Sequence, residues 1–145
     1  MGIQRVAVVG ASGYGGLQTL RLLNAHAAFD ITYLGGERSA GRSWSEICPF
    51  LPLADDLTVD SPDPDRIAAA AEFAVLSLPN GLASQLVPPL LERGVRVVDL
   101  SADYRYRNLD QWASVYVHEA RTHQRTDGEL CKEAVYGLPE WHGSE

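Results

Sequence analysis

Val6-Ala7-Val8-Val9-Gly10-Ala11-Ser12-Gly13-Tyr14-Gly15-Gly16 decides how the chain is read. Four apolar residues run straight into a glycine, the pattern of a strand buried on both faces. From Tyr14 to Ala25, leucines at 17, 20 and 23 recur at about one helical turn, so a helix follows. The turn between them carries glycines at 10, 13 and 16. Strand, glycine-rich turn and helix, in that order, is the context in which such a turn cradles the pyrophosphate of a dinucleotide. Gly10 is expected to make the tight turn. Gly13 is expected to leave room, at a positive φ, for close approach of the phosphates. Gly16 is expected to let the helix pack against the strand. Ser12, Tyr14 and Gly15 complete the cradle, where the first N–H groups of the helix and its positive dipole end meet the phosphates. The spacing is G-x-x-G-x-x-G rather than the commoner G-x-G-x-x-G. Taken alone it also fits a glycine-rich turn with no ligand.

Outward from this turn, strand-like and helix-like segments alternate. Ile31-Thr32-Tyr33-Leu34 reads as a second strand, stopped by Gly35-Gly36. Residues 35–56 read as loop, and Leu57-Thr58-Val59 as a short third strand. A helix runs from Pro64 to Ala71, with Asp63 as its cap and Pro64 at its first position. Phe73–Leu78 is a fourth strand, ending in Pro79-Asn80-Gly81. Residues 82–93 are helical in pattern, and Pro88-Pro89 is expected to split them into two short helices, the second stopped by Gly94. Val95–Leu100 is a fifth strand. Leu109 to Glu119 fits a helix, residues 120–134 carry no clear pattern, and Val135–Pro139 fits a last strand or an extended loop. Such alternation implies parallel strands joined by right-handed crossovers. The fold class is α/β, a doubly wound, mostly parallel sheet of the Rossmann type, with residues 1–145 as one nucleotide-binding domain. Ligands of such sheets lie beyond the carboxyl ends of the strands.

The end of the second strand bears on which dinucleotide binds. A domain selective for NAD places an acidic residue there on the ribose hydroxyls. Here the run is Gly36-Glu37-Arg38-Ser39-Ala40-Gly41-Arg42. The Arg38 guanidinium and the Ser39 hydroxyl suit a 2′-phosphate, with Arg42 as a helper, so the cofactor is expected to be NADP. Glu37 is the discordant residue, since a carboxylate facing inward prefers a ribose diol.

Composition narrows the partners. Lys and Arg number 12 against 19 Asp and Glu, a net charge of −7 that disfavours nucleic acid or an anionic membrane as the main partner. No apolar run reaches the roughly 18 residues of a membrane helix, and no secretory signal pattern opens the chain. Two cysteines, Cys48 and Cys131, are too few for a disulfide framework and fit a cytoplasmic location. His118-Glu119-Ala120-Arg121-Thr122-His123 is one residue too long for H-E-x-x-H. Five residues turn a helix by roughly 500°, so the two imidazoles leave a common face and no metal site is read here. Trp112 and Tyr116, four apart, read as packing.

Five segments together resemble one family. They are Gly10–Gly16, Glu37-Arg38-Ser39-Ala40-Gly41, Leu78-Pro79-Asn80-Gly81, Asp99-Leu100-Ser101-Ala102-Asp103-Tyr104-Arg105 and Val135-Tyr136-Gly137-Leu138-Pro139-Glu140. In order, over nearly the whole chain, they look like the N-acetyl-gamma-glutamyl-phosphate reductases of arginine biosynthesis. Aspartate-semialdehyde dehydrogenases share the first segment and are one alternative; a stand-alone dinucleotide-sensing module is another. The resemblance implies NADPH-dependent reduction of an acyl phosphate to an aldehyde. A cysteine thiolate forms a thioester that hydride then reduces, and a histidine manages the proton. It implies that Leu78, Pro79 and Asn80 run along the ribose and nicotinamide, with backbone contact at Asn80, where relatives often carry histidine. Ser101 is implied beside the nicotinamide. Asp103 and Arg105 either order their loop, by pairing with each other, or approach the substrate.

In that family the nucleophile lies in a Pro-Gly-Cys-Tyr motif beyond the fifth segment, and the histidine in a second domain that also dimerises. Neither Cys48 nor Cys131 stands in such a motif. Lys132 is placed to lower the Cys131 pKa, yet both cysteines read as buried or incidental. No catalytic residue is therefore assigned. The chain is expected to be the amino-terminal part of a longer, homo-oligomeric enzyme, inert alone and with an apolar face left uncovered.

Overall fold

The computed structural model describes residues 2–116, 125 and 127–137. Among them, five strands form one sheet: β1 (Gln4–Val9), β2 (Phe29–Gly35), β3 (Val59–Asp60), β4 (Phe73–Leu76) and β5 (Arg96–Asp99). Their order is β3-β2-β1-β4-β5, with every neighbour parallel. Six helices accompany them: α1 (Tyr14–Asn24), α2 (Trp44–Ile47), α3 (Pro64–Ala70), α4 (Ala83–Glu92), α5 (Leu109–Tyr116) and α6 (Gly128–Glu133).

Alternation along β1 explains why the sheet is covered twice. Val8 faces a cluster with Leu20 of α1, Leu34, Trp44 and Val59. Ala7 and Val9 face the opposite cluster, with Ile67 of α3 and Val87 and Leu90 of α4. All of these side chains are buried. A strand buried on both faces must read as continuously apolar, as Val6–Val9 does. At the far edge, Val98 of β5 and Leu100 just after it are about half exposed.

Strand order places the site. The chain builds outward from β1 to β2 and β3, then crosses back to lay β4 on the other side of β1. The direction of winding reverses between β1 and β4, and their carboxyl ends part there to leave a crevice. Gly10–Gly13 leaves β1 on one side of it, and Leu78–Gly81 follows β4 on the other.

Several expected elements differ. Pro88 and Pro89 do not split α4, which runs unbroken through both. Ala83, Val87 and Leu90 bury one face of it against α3 and the sheet, and that packing outweighs the backbone bonds the prolines forfeit. The third strand is Val59–Asp60, because Thr58 instead bridges Ser43 in antiparallel fashion. Residues 35–56 hold a single 3₁₀ turn at Glu37–Ser39 and the short α2, whose Trp44 is fully buried and donates its indole N–H to the Leu51 carbonyl at 2.8 Å. The patternless stretch contains α6, and of the two alternatives for the last segment, Val135–Gly137 takes the loop and not the strand. The Asp63 cap is present: its carboxylate accepts the Arg66 N–H at 2.9 Å. Residues 117–124, with His118 and His123, and residues 138–140 of the fifth segment lie outside the described residues.

Candidate dinucleotide site

The glycine turn is held from both sides. The N–H groups of Gly10 and Ala11 donate to the Gly35 carbonyl at 2.8 and 3.1 Å, tying the end of β1 to the end of β2. Gly10 has φ +85°, and a Cβ there would lie 2.0 Å from the Ser77 carbonyl oxygen, so only glycine fits. At Gly16 a Cβ would lie 2.1 Å from the Gly10 carbonyl oxygen, which is the close helix–strand approach expected of it. Gly13 differs from expectation. Its φ is −79°, because it is the extended N-cap of α1, and a Cβ there would meet only the Gly10 carbonyl oxygen, at 3.4 Å. Gly13 is therefore not required by backbone conformation or by packing.

No side chain caps α1. Helix geometry leaves the first N–H groups, those of Tyr14, Gly15 and Gly16, without intrahelical partners. Tyr14 itself is 94% exposed. Ser12 lies beside this end, its hydroxyl 3.4 Å from that of Ser39. Ser39 is buried in the 3₁₀ turn after β2, whereas Glu37 and Arg38 are exposed. Arg38 makes no ion pair among the described residues. An uncapped helix end, an open glycine and the Ser12 and Ser39 hydroxyls, with exposed Arg38 next to Ser39 in the chain, offer donors and positive charge of the kind a phosphorylated dinucleotide takes.

The second part of the site lies at the ends of β4 and β5. A cleft of about 340 Å³ opens there, lined among others by Leu78, Pro79, Asn80, Ser101, Arg105 and Tyr116. The expected residues 78–80 and 101 thus share one wall-to-wall space. Asn80 Oδ1 accepts the Ala102 N–H at 3.0 Å, joining the two walls. The Ser101 hydroxyl donates to Asp99 at 2.8 Å. Burial pushes the Asp99 carboxyl up, and hydrogen bonds from Ser101 hold that rise back.

Asp103 is not paired with Arg105. Its carboxylate is fully buried and accepts the N–H groups of Gly81 at 2.6 Å and Ser84 at 3.0 Å, which orders the turn entering α4. Arg105 instead reaches into the cleft, where it donates to the Tyr116 hydroxyl at 2.8 Å. Trp112 is buried under this wall and packs against Tyr116, ring centroids 6.0 Å apart, as the spacing implied.

Sequence reasoning gave no role to Ser77 or to Arg125. Ser77 closes β4 against the glycine turn: a Cβ on Gly15 would lie 2.4 Å from its hydroxyl. Its position just before Leu78 was the available signal. Arg125 carried none. It forms a buried bidentate pair with Asp127 and lies 3.4 Å from Cys131 Sγ. Arg125, and not Lys132, is therefore the cation beside that thiol. Lys132 pairs with Glu129 on the surface, and burial pushes the Cys131 thiol up despite Arg125.

The pair makes a pH prediction. Burial alone raises the Asp127 carboxyl, but hydrogen bonds and charge, chiefly from Arg125, outweigh it and hold the group below the ordinary carboxylate range. A depressed folded pKa contributes stability that is present above the unfolded value of about 3.9 and is lost as pH falls through the folded value. Asp127→Asn should therefore lower stability at pH 7 and flatten the acid limb below about pH 4. Urea midpoints across that range measure it; an acid limb identical to that of the parent would show that the pair contributes nothing.

The fold and its glycine turn define a class. A family model described as "Semialdehyde dehydrogenase, NAD binding domain" matches residues 5–145, and the chain belongs to that family, whose cofactor is a nicotinamide dinucleotide. Among curated proteins it is 70% identical to N-acetyl-gamma-glutamyl-phosphate reductase of Prochlorococcus marinus (strain MIT 9313), over 97% of this chain and 40% of that protein. It is also 70% identical to the protein of the same name from Parasynechococcus marenigrum (strain WH8102), over 96% of this chain and 39% of that one. The chain thus spans about 40% of the length of the curated relatives it matches. Aspartate semialdehyde dehydrogenase from Candida albicans, solved with NADP, shares the fold at a TM-score of 0.62 and 24% identity, over 71% of this chain and 31% of that one. No helix among the described residues is long and apolar enough to cross a membrane.

Proposed function

We propose that residues 1–145 form the NADP-binding domain of an N-acetyl-gamma-glutamyl-phosphate reductase. That enzyme reduces an acyl phosphate to an aldehyde with NADPH, in the cytoplasm and as a homo-oligomer. The 70% identity to proteins of that name supports this over an aspartate-semialdehyde dehydrogenase, whose structural likeness lies in the fold alone.

The observation that carries the cofactor reading is the open, uncapped start of α1 beside Ser12, Ser39 and Arg38. In this reading the glycine turn, with Gly10, Ser12, Gly13, Tyr14, Gly15 and Gly16, holds the pyrophosphate, and Arg38 and Ser39 hold the 2′-phosphate. Leu78, Pro79, Asn80 and Ser101 flank the nicotinamide. When bound, the cofactor supplies hydride; these residues orient it and shield one face from water. Arg105, the charged group lining the cleft, suits an anionic substrate group there.

Calorimetric titration with NADPH and NADH tests the reading. NADPH should bind more tightly. Arg38→Ala should weaken NADPH by about 1–3 kcal/mol, the worth of a charge-assisted phosphate contact, and leave NADH nearly unchanged. Equal losses for the two would show that Arg38 does not read the 2′-phosphate.

A further inference from the structure

We infer that Arg125 is a positioning residue for the turn at residues 101–105 and, through that turn, for the nicotinamide end of the cleft; the second half of this rests on the dinucleotide reading above. Arg125 lies in a stretch with no motif and touches none of the residues expected to meet the cofactor. Its surroundings are nonetheless built around it. The side chains of Arg125 and Asp127 are 5% and 8% exposed, with two parallel bonds between them at 3.0 and 2.8 Å. The third arm of the guanidinium donates to the Asp103 carbonyl at 2.6 Å. Its Cζ lies over two rings, 4.6 Å from the Trp112 centroid and 5.2 Å from that of Tyr104.

The turn is consequently gripped on two sides. On the outer side, Trp112 donates its indole N–H to the Ala102 carbonyl at 2.8 Å and Arg125 takes the next carbonyl, that of Asp103. On the inner side, the Asp103 carboxylate accepts from Gly81 and Ser84, and the Ala102 N–H donates to Asn80. Side chain and carbonyl of Asp103 thus belong to one rigid residue whose two ends are anchored on different elements. Releasing the carbonyl lets the residue rock and loosens its carboxylate on the 81–84 turn. A guanidinium serves because its planar fork meets a carboxylate and a carbonyl at fixed angles while stacking on aromatic faces. An ammonium is a point charge and offers neither.

The test is the double variant Arg125→Met with Asp127→Asn, which leaves no buried carboxylate unpaired. Two measurements are made on the 145-residue chain. Amide hydrogen exchange is followed by NMR without ligand. Affinity is titrated with NADPH and with 2′,5′-ADP, which carries the adenosine half and its phosphate but no nicotinamide. The Gly81 and Ser84 amides should exchange at least about tenfold faster, while those of Val8 and Leu34 in the sheet stay as in the parent. NADPH should bind about tenfold more weakly, and 2′,5′-ADP within about twofold of the parent. Unchanged protection at Gly81 and Ser84 would overturn the inference. So would an equal loss of both ligands with faster exchange throughout the sheet, the signature of a residue that only holds the domain together. If the parent binds neither ligand, the dinucleotide reading fails, and the exchange measurement still decides whether Arg125 holds the turn.

Discussion

Gly16→Ala is expected to cost at least about 3 kcal/mol of stability, at the top of the range for overpacking a close contact, or to prevent folding outright. The added methyl would sit 2.1 Å from the Gly10 carbonyl oxygen and 2.8 Å from both the Cα and the carbonyl oxygen of Ala11. All three are backbone atoms, and that backbone has no slack. The N–H groups of Gly10 and Ala11 are bonded to the Gly35 carbonyl, and the Ser77 backbone occupies the space where a Gly10 Cβ would be. The only relief is to lift α1 off β1, which uncovers Leu20, now fully buried. Gly13→Val, three residues earlier, should change stability by less than about 1 kcal/mol, because its φ of −79° and ψ of 166° suit a branched residue. It should still abolish dinucleotide binding by filling the space beside the helix end. Urea denaturation followed by circular dichroism, with NADPH titration on the same samples, separates the two. A Gly16→Ala protein with parental stability would mean that the loop relaxes freely. A Gly13→Val protein that binds NADPH normally would mean that the pyrophosphate lies elsewhere.

The second large effect is a complete absence of turnover. The 145-residue chain should catalyse no phosphate-dependent reduction of NADP with the semialdehyde, even at saturating cofactor. Hydride transfer in this chemistry needs a thioester, and a thioester needs a thiolate held beside the nicotinamide. Cys48 is 1% exposed and packs with Trp44 and Leu34, on the face of the sheet that α1 covers. Cys131 is fully buried, and burial holds its thiol above the ordinary range, away from the thiolate. Neither lines the cleft at the ends of β4 and β5. Extending the chain through a Pro-Gly-Cys-Tyr motif and a second domain should produce activity, and changing that cysteine to serine should remove it. Turnover by the short chain that disappears on Cys131→Ser would overturn both the buried reading of Cys131 and the need for a nucleophile from outside these residues.

What the amino-acid order determined by itself was whatever depends on neighbours along the chain. The apolar run at Val6–Val9, the glycines that end the first two strands, the Asp63 cap and the leucine spacing of α1 are local signals, and they led to a doubly wound parallel sheet. The same locality put residues 78–80 and 101 at strand ends, and the carboxyl ends of strands in such a sheet lie along one edge, where these residues line one cleft. Tertiary structure decided the rest, because the deciding contacts join residues far apart in sequence. Pro88 and Pro89 break a helix by local rules, yet the burial of Val87 and Leu90 keeps α4 whole. Gly13 resembled its neighbouring glycines in spacing, and only the folded turn separated it, at negative φ, from Gly10 at positive φ. The Asp103 carboxylate read either as shaping its loop by pairing with Arg105 or as approaching the substrate, until the fold set it on Gly81 and Ser84. Arg125 had no local pattern to reveal it. A lone arginine in a polar stretch acquires a role only when folding brings it onto a carbonyl 22 residues away, against two rings and out of water, where its hydrogen bonds no longer compete with solvent.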